Sequence, residues 1–223
     1  MNENRNPLNK YDRPFQVYKS SNIIENLEEL TEACDTIRDN ITKDLMLLDE
    51  EDRPKLDSAH RSVTTWNYQN YNFWTYAINT NPIFIKVWED LVEVISNHAP
   101  KGATYALVQS WLNYDTYESI EGNLTMHTHD FPMHGFVAIE PQKTKTVFEK
   151  WEIENAPGNI YFGLGNLLHE VRNSGKYEGP RITVGYDVIY EEEQVDFDSI
   201  PQLGERKIGV APQHNNWIPV VLK

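Results

Sequence analysis

Residues 157–190 read PGNIYFGLGNLLHEVRNSGKYEGPRITVGYDVIY. Pro157-Gly158 is a turn signal, Asn159–Leu164 has strand composition, and Gly163-Leu164-Gly165 turns the chain again. Gly179-Pro180 then delivers it into a longer apolar run, Arg181–Tyr190. Short runs of β-branched and aromatic residues punctuated by Gly and Pro fit a pleated, half-buried surface. Toward the N-terminus the same pattern predicts strands over Tyr105–Tyr114, Asn123–His129, Gly135–Glu140 and Lys145–Ile153, with turns at Glu121-Gly122 and Pro141-Gln142. Several short strands at this spacing point to a sandwich or a jelly-roll barrel.

Upstream of Pro100 the period changes. Ile23, Ile24, Leu27, Leu30, Ile37, Ile41, Leu45 and Leu48 recur every three or four residues, which predicts a helix from Ser21 capped by Ser21 or Asn22. Asn81-Pro82 opens a second helix over 82–98, with Ile85, Trp88, Leu91, Val92 and Ile95 on one face. Residues 60–80 are rich in Trp, Tyr and Asn and show no assignable period. The division that follows is an N-terminal arm and helical support over 1–100, a β core over 101–190 and an irregular C-terminal extension over 191–223. All of it is expected in one compact domain of mainly β structure with flanking helices.

Composition limits the partners. The net charge is −14 over 223 residues. Nucleic-acid backbones and anionic membranes call for clustered Lys and Arg, so both are disfavoured. A small anion held by one buried arginine remains compatible with that charge. Cys34 is the sole cysteine, so no intrachain disulfide forms, and Met1–Arg13 is polar without an apolar stretch. The expectation is a cytoplasmic protein with no membrane association. Nothing in the sequence speaks to oligomeric state.

Chemistry concentrates in His127-Thr128-His129, His169 and Arg181. Strand alternation points Thr125, His127 and His129 to one side, so two imidazoles on one strand end can grip one ion. His169 follows the strand 159–164, and a strand returning beside the first would bring it into reach. Three neutral imidazoles suit Fe, Zn, Cu or Ni. Arg181 and Thr183 share a face, and a guanidinium fork beside a hydroxyl is a receptor for a carboxylate. Asn113 beside Trp111, and the hydroxyls of Tyr161 and Tyr105, are further polar candidates on lining strands. Asp130 faces away from the histidines unless a β-bulge turns it inward. His60, His98 and His214 read as surface or loop residues. His134 reads as a satisfied structural histidine, close enough to act behind the metal ligands or to contact substrate.

These residues together resemble the iron(II)/2-oxoglutarate-dependent oxygenases. The likeness is to the prolyl-hydroxylase-like branch, including small members of the kind found in phages and bacteria. It covers about residues 105–190. Its carriers are Trp111-Leu112-Asn113, Met126-His127-Thr128-His129, the run Pro157–Leu164, Leu168-His169-Glu170-Val171 and Arg181-Ile182-Thr183. The resemblance implies a double-stranded β-helix, a jelly-roll or cupin-like core. It also implies Fe(II), 2-oxoglutarate as cosubstrate, and O2. His127 and His169 would be metal ligands, and Arg181 and Thr183 would hold the far carboxylate of 2-oxoglutarate. The implied activity is a hydroxylase-type oxygenase that couples 2-oxoglutarate decarboxylation to C–H oxidation of a small molecule or peptide.

One position departs from the family. The acid expected two residues after the first histidine is His129 here. A three-histidine site, a bulged His127/Asp130/His169 site, and a two-histidine site with an extra open position, as in halogenating relatives, all remain open. Plain strand alternation favours His129. Two other readings stand beside the oxygenase: a three-histidine cupin-type metalloenzyme that uses no 2-oxoglutarate, and a metal-free β-sandwich binding module.

Overall fold

A computed structural model describes residues 14–47, 63–64, 72–117, 120, 125–191 and 217–223. The order of elements begins β1 (Phe15–Lys19), α1 (Ser21–Glu25), α2 (Leu27–Met46), β2 (Val63–Thr64), α3 (Phe73–Thr80) and α4 (Phe84–His98). It continues β3 (Tyr105–Asp115), β4 (Met133–Glu140), β5 (Thr144–Phe148), β6 (Glu152–Glu154), β7 (Asn159–Leu164), β8 (His169–Asn173), β9 (Arg181–Tyr190) and β10 (Ile218–Val221).

Two antiparallel sheets result. The larger runs β1-β7-β4-β9-β3-β10, with β2 also on β3; the smaller runs β6-β5-β8. His127 extends the smaller sheet through an isolated bridge to His169. From β3 to β9 the chain passes back and forth between the two sheets. Their inner faces meet where Phe148 of β5 stacks on Phe15 of β1 and on Tyr161 of β7, at 5.1 and 5.6 Å between ring centroids.

Alternation sorts the large sheet. Ile182, Val184, Tyr186, Val188 and Tyr190 of β9 join Ala106, Val108 and Leu112 of β3 and Ile160 and Phe162 of β7 in one buried cluster with the helices. Leu30, Cys34, Ile37 and Ile41 of α2 and Phe84, Val87, Leu91 and Ile95 of α4 fill its other side. The predicted helix faces therefore lie on the back of the sheet, and the odd-numbered side chains of β9 face the smaller sheet.

Several predicted boundaries move, and the described residues 125–129 of the strand predicted over Asn123–His129 form only an isolated bridge at His127. The first helix is two: α1 ends at Asn26, whose backbone leaves helical geometry, and α2 begins at Leu27. Its cap is Ser20, whose hydroxyl accepts from the Ile23 N–H, instead of Ser21 or Asn22. Leu48 lies outside the described residues. The second helix starts at Phe84 because Asn81 makes a turn, its Oδ1 accepting from the Ile83 N–H. The strand predicted over 145–153 is a hairpin, β5 and β6, folded at residues 149–151. The extension is not irregular throughout, since β10 pairs along β3. The structure adds α3, where Asn72 caps Phe73–Thr80, and β8. No described helix is long and apolar enough to cross a membrane.

Candidate functional site

Four cross-strand rows line the inner face of the large sheet. Gln109, Asp187 and His134 stand side by side on β3, β9 and β4, followed one pleat along by Trp111, Gly185 and Phe136. Asn113, Thr183 and Ala138 come next, and Asp115 opposite Arg181 closes the series. Two of the rows carry the predicted polar candidates and one carries the floor of a histidine cluster.

The cluster is built by backbone closure around Gly165. His127 and His169 exchange N–H···O bonds of 2.9 Å each way, and the His129 N–H donates to the Gly165 carbonyl at 2.8 Å. The Gly165 N–H donates to Pro132 at 2.9 Å. A Cβ at Gly165 would run into the Phe131 carbonyl, so only glycine lets these two segments approach so closely.

His127, His129 and His169 each offer a ring nitrogen, and those nitrogens lie within 4.8 Å of one another. Their outer nitrogens are committed. His127 Nδ1 sits 2.7 Å from the Thr125 carbonyl oxygen and His169 Nδ1 sits 2.7 Å from that of Leu167. A carbonyl only accepts, so both rings are protonated at Nδ1 and keep the Nε2 lone pair for a ligand. His129 Nδ1 lies 3.3 Å from Asp187 Oδ1. Burial presses the His169 imidazole down to about 2, with His134 as the next contributor, and lowers His127 as well. Both are neutral at pH 7, the form that ligates metals.

Asp187 has no exposed surface. It accepts from Gln109 Nε2 at 2.7 Å, and His134 Nδ1 lies 3.0 Å from its other oxygen. Burial alone would raise this carboxyl, but His129 and His134 hold it below the usual range. His134 is pushed down to about 4 by burial and by His129. His129, His134 and Asp187 thus form a second set of ligand atoms within 4.8 Å, and two histidines with one carboxylate also suit iron. The His129 and His134 rings, however, stack at 3.4 Å and 11°. Rings stacked face to face hold their in-plane lone pairs in separate parallel planes; His129 and His169 are as nearly parallel, at 10°, but with centroids 5.4 Å apart. Trp111 lies beside the pair and nearly parallel to it, 5.8 Å from His129 and 5.9 Å from His134.

Arg181 is 3% exposed, and its NH1 donates to Asp115 Oδ2 at 3.0 Å. Its Nε is buried without a hydrogen-bond partner among the described residues. Thr183 is buried beside it. Asn113 is half-buried, in register with Thr183 and with Thr64 of β2. Tyr161 is buried in the aromatic cluster of Phe15, Phe136 and Phe148, away from the Arg181 row. Asp130 is exposed and joins neither set of ligand atoms. Tyr105 lies at the far end of β3, opposite Val221, and is exposed. His98 closes α4, where its Nε2 meets the Tyr18 hydroxyl at 2.5 Å and its ring stacks on Phe162. His60 and His214 lie outside the described residues.

The sequence reading missed Asp187 and the company His134 keeps. A signal existed, because Asp187 continues the Arg181, Thr183 alternation along β9 and is a lone acid in an apolar strand.

No protein-family model matches this chain, and no curated protein matches it. Solved structures do. The non-heme alpha-ketoglutarate-dependent epimerase SnoN from nogalamycin biosynthesis is similar over 89% of this chain and 87% of its own, at 12% identity and a TM-score of 0.46. A protein of Caulobacter crescentus assigned to the 2OG-Fe(II) oxygenase family is similar over 79% and 77%, at 10% identity and a TM-score of 0.42. A full-length Neurospora crassa protein in complex with alpha-KG and thymine is similar over 53% of this chain and 47% of its own, at 12% identity and a TM-score of 0.35. This chain therefore spans about half the length of that Neurospora crassa structure.

Proposed function

We propose that this protein is an Fe(II)/2-oxoglutarate-dependent oxygenase on a double-stranded β-helix core, with His127, His129 and His169 as metal ligands. The observation that carries the reading is the set of three ring nitrogens within 4.8 Å, each with its opposite nitrogen turned to an outer acceptor. That arrangement gathers three ring nitrogens around one volume and suits a borderline cation such as Fe(II).

Bound iron would supply the open coordination positions at which O2 and the keto acid meet. The protein does the rest. Arg181 presents an unused Nε donor at the inner face, and Thr183 adds a hydroxyl in the next row, so a carboxylate entering there is held at two points. Asn113 flanks that position, while Tyr161 belongs to the aromatic cluster between the sheets. The Phe15, Phe148 and Tyr161 cluster excludes water from the space between the sheets. The His134 ring stacked on it and the Trp111 indole beside it restrain the plane of the His129 ring.

In this reading residues 1–100 brace the core over 101–190, the chain acts in the cytoplasm, and the substrate is a small molecule or peptide. Hydroxylation is the proposed outcome. The test is succinate release from 2-oxoglutarate by protein loaded with Fe(II) in air. Wild type should give it, and His127→Ala and Arg181→Met should not.

A second reading is favoured by one observation. Asp115 already pairs with Arg181. If that pair stays closed, the centre is a three-histidine metalloenzyme that takes its substrate without 2-oxoglutarate. Metal uptake without any 2-oxoglutarate binding would select it.

A further inference from the structure

We propose that Asp187 is a positioning residue of the metal centre, acting through His129: its carboxylate fixes the Nδ1–H form of that ring and lends it negative charge. This rests on the three-histidine reading and adds a role for a residue outside the ligand set.

The three imidazoles are not equivalent. His127 and His169 lean on backbone carbonyls, which are neutral acceptors. His129 faces a fully buried carboxylate, its Nδ1 3.3 Å from Asp187 Oδ1, an ion-pair distance just beyond the usual hydrogen-bond range. Gln109 holds the second oxygen at 2.7 Å, so the carboxylate cannot rotate away without losing that bond. His134, stacked on His129, meets the same Oδ1 from its own strand at 3.0 Å. The carboxylate therefore has three fixed neighbours, and one of them is a ring with a nitrogen at the metal position.

A carboxylate behind a ligating histidine orients the ring and raises its basicity, and losing it typically lowers metal affinity about 10- to 100-fold. His129 stands where the first acid was expected from the sequence. The negative charge that such an acid would place on the ion is present one layer further out, on β9. His129, at the position where the resemblance implies an acid, and the buried Asp187 behind it form one arrangement.

The experiment uses the full-length protein. Long-range 1H–15N spectra of histidine-labelled, metal-free wild type should show His129 protonated at Nδ1, and Asp187→Asn should shift it toward the Nε2–H form. Mn(II) affinity, read by competition with a chromogenic chelator, should fall about 10- to 100-fold in Asp187→Asn. His129→Gln should also weaken it, and Asp187→Asn should cost nothing further in the His129→Gln background.

An equal loss in both backgrounds overturns the proposal, since Asp187 would then act on the fold and not through His129. If Asp187→Asn does not fold, the wild-type tautomer decides: His129 in the Nε2–H form overturns it, and the Nδ1–H form upholds it. Wild type that takes up no metal sinks the metal centre itself. Metal uptake with the wrong His129 tautomer sinks only the Asp187 assignment.

Discussion

Arg181→Met separates the structural work of the arginine from its proposed role as a receptor. Asp115 and Arg181 are 4% and 3% exposed and face each other across β3 and β9, with NH1 to Oδ2 at 3.0 Å. Methionine matches the length of the stem and removes the charge, so Asp115 is left buried without its cation. Breaking a buried pair this way costs about 3–5 kcal/mol. For a chain of this size that is a drop in Tm of roughly 6–20 °C.

The penalty depends on pH in a defined direction. Burial already raises the Asp115 carboxyl above its usual value, and Arg181 is what opposes the rise. Without Arg181 it rises further, and the folded state takes up a proton more readily than the unfolded chain. The penalty is therefore full above the folded-state pKa and shrinks as pH falls through it. Replacing both partners by apolar residues, Asp115→Leu with Arg181→Met, should recover most of the lost stability, because a buried pair exchanged for packed side chains is often close to neutral. It should not recover 2-oxoglutarate binding. Thermal unfolding followed by circular dichroism, with calorimetric titration of the cosubstrate, reads both. A single variant as stable as wild type refutes the buried pair, and a double variant that binds 2-oxoglutarate refutes the receptor.

Three further outcomes are expected. Gly185→Ala places a Cβ into the Trp111 indole, and overpacking of this kind costs about 1–3 kcal/mol, visible as a lower Tm and an altered near-UV spectrum of Trp111. Metal-free protein should lose stability between pH 7 and pH 5: His169 and His134 sit near about 2 and about 4, so the unfolded chain binds protons first. That stability is complete above about pH 6.5 and declines below it by at most about 1.4 kcal/mol per pH unit for each histidine. Denaturant titrations at two pH values check this, and a flat or opposite trend contradicts the buried neutral rings. Asp130→Ala should leave Mn(II) affinity unchanged while His127→Ala lowers it at least tenfold; a comparable loss in Asp130→Ala would restore a bulged His127/Asp130/His169 site.

Local chemistry made most of the strands legible. Arg181–Tyr190 and Asn159–Leu164 were bounded by Gly-Pro and Pro-Gly turns, and their observed limits match. Boundaries set by long-range packing were not legible. Asn26 breaks an uninterrupted apolar period, and the residues flanking it read as helix from either side. β8 carries polar residues, His169-Glu170-Val171-Arg172-Asn173, and becomes a strand because β5 supplies the partner. At the site, His127, His129 and His169 were visible as residue types at plausible spacing, and the structure brings them together. Asp187 was hidden because its meaning comes from Gln109 and His134 on neighbouring strands, a register that no local pattern encodes. Asp115 was hidden for the same reason, as the cross-strand partner of Arg181.

Calorimetric titration of 2-oxoglutarate into anaerobic, Fe(II)-loaded protein tests the central claim most directly. One equivalent should bind to the metal-loaded wild type, with binding lost on removal of the metal and in Arg181→Met. Stoichiometric metal uptake with no heat of 2-oxoglutarate binding would contradict the oxygenase and leave the three-histidine metalloenzyme in its place.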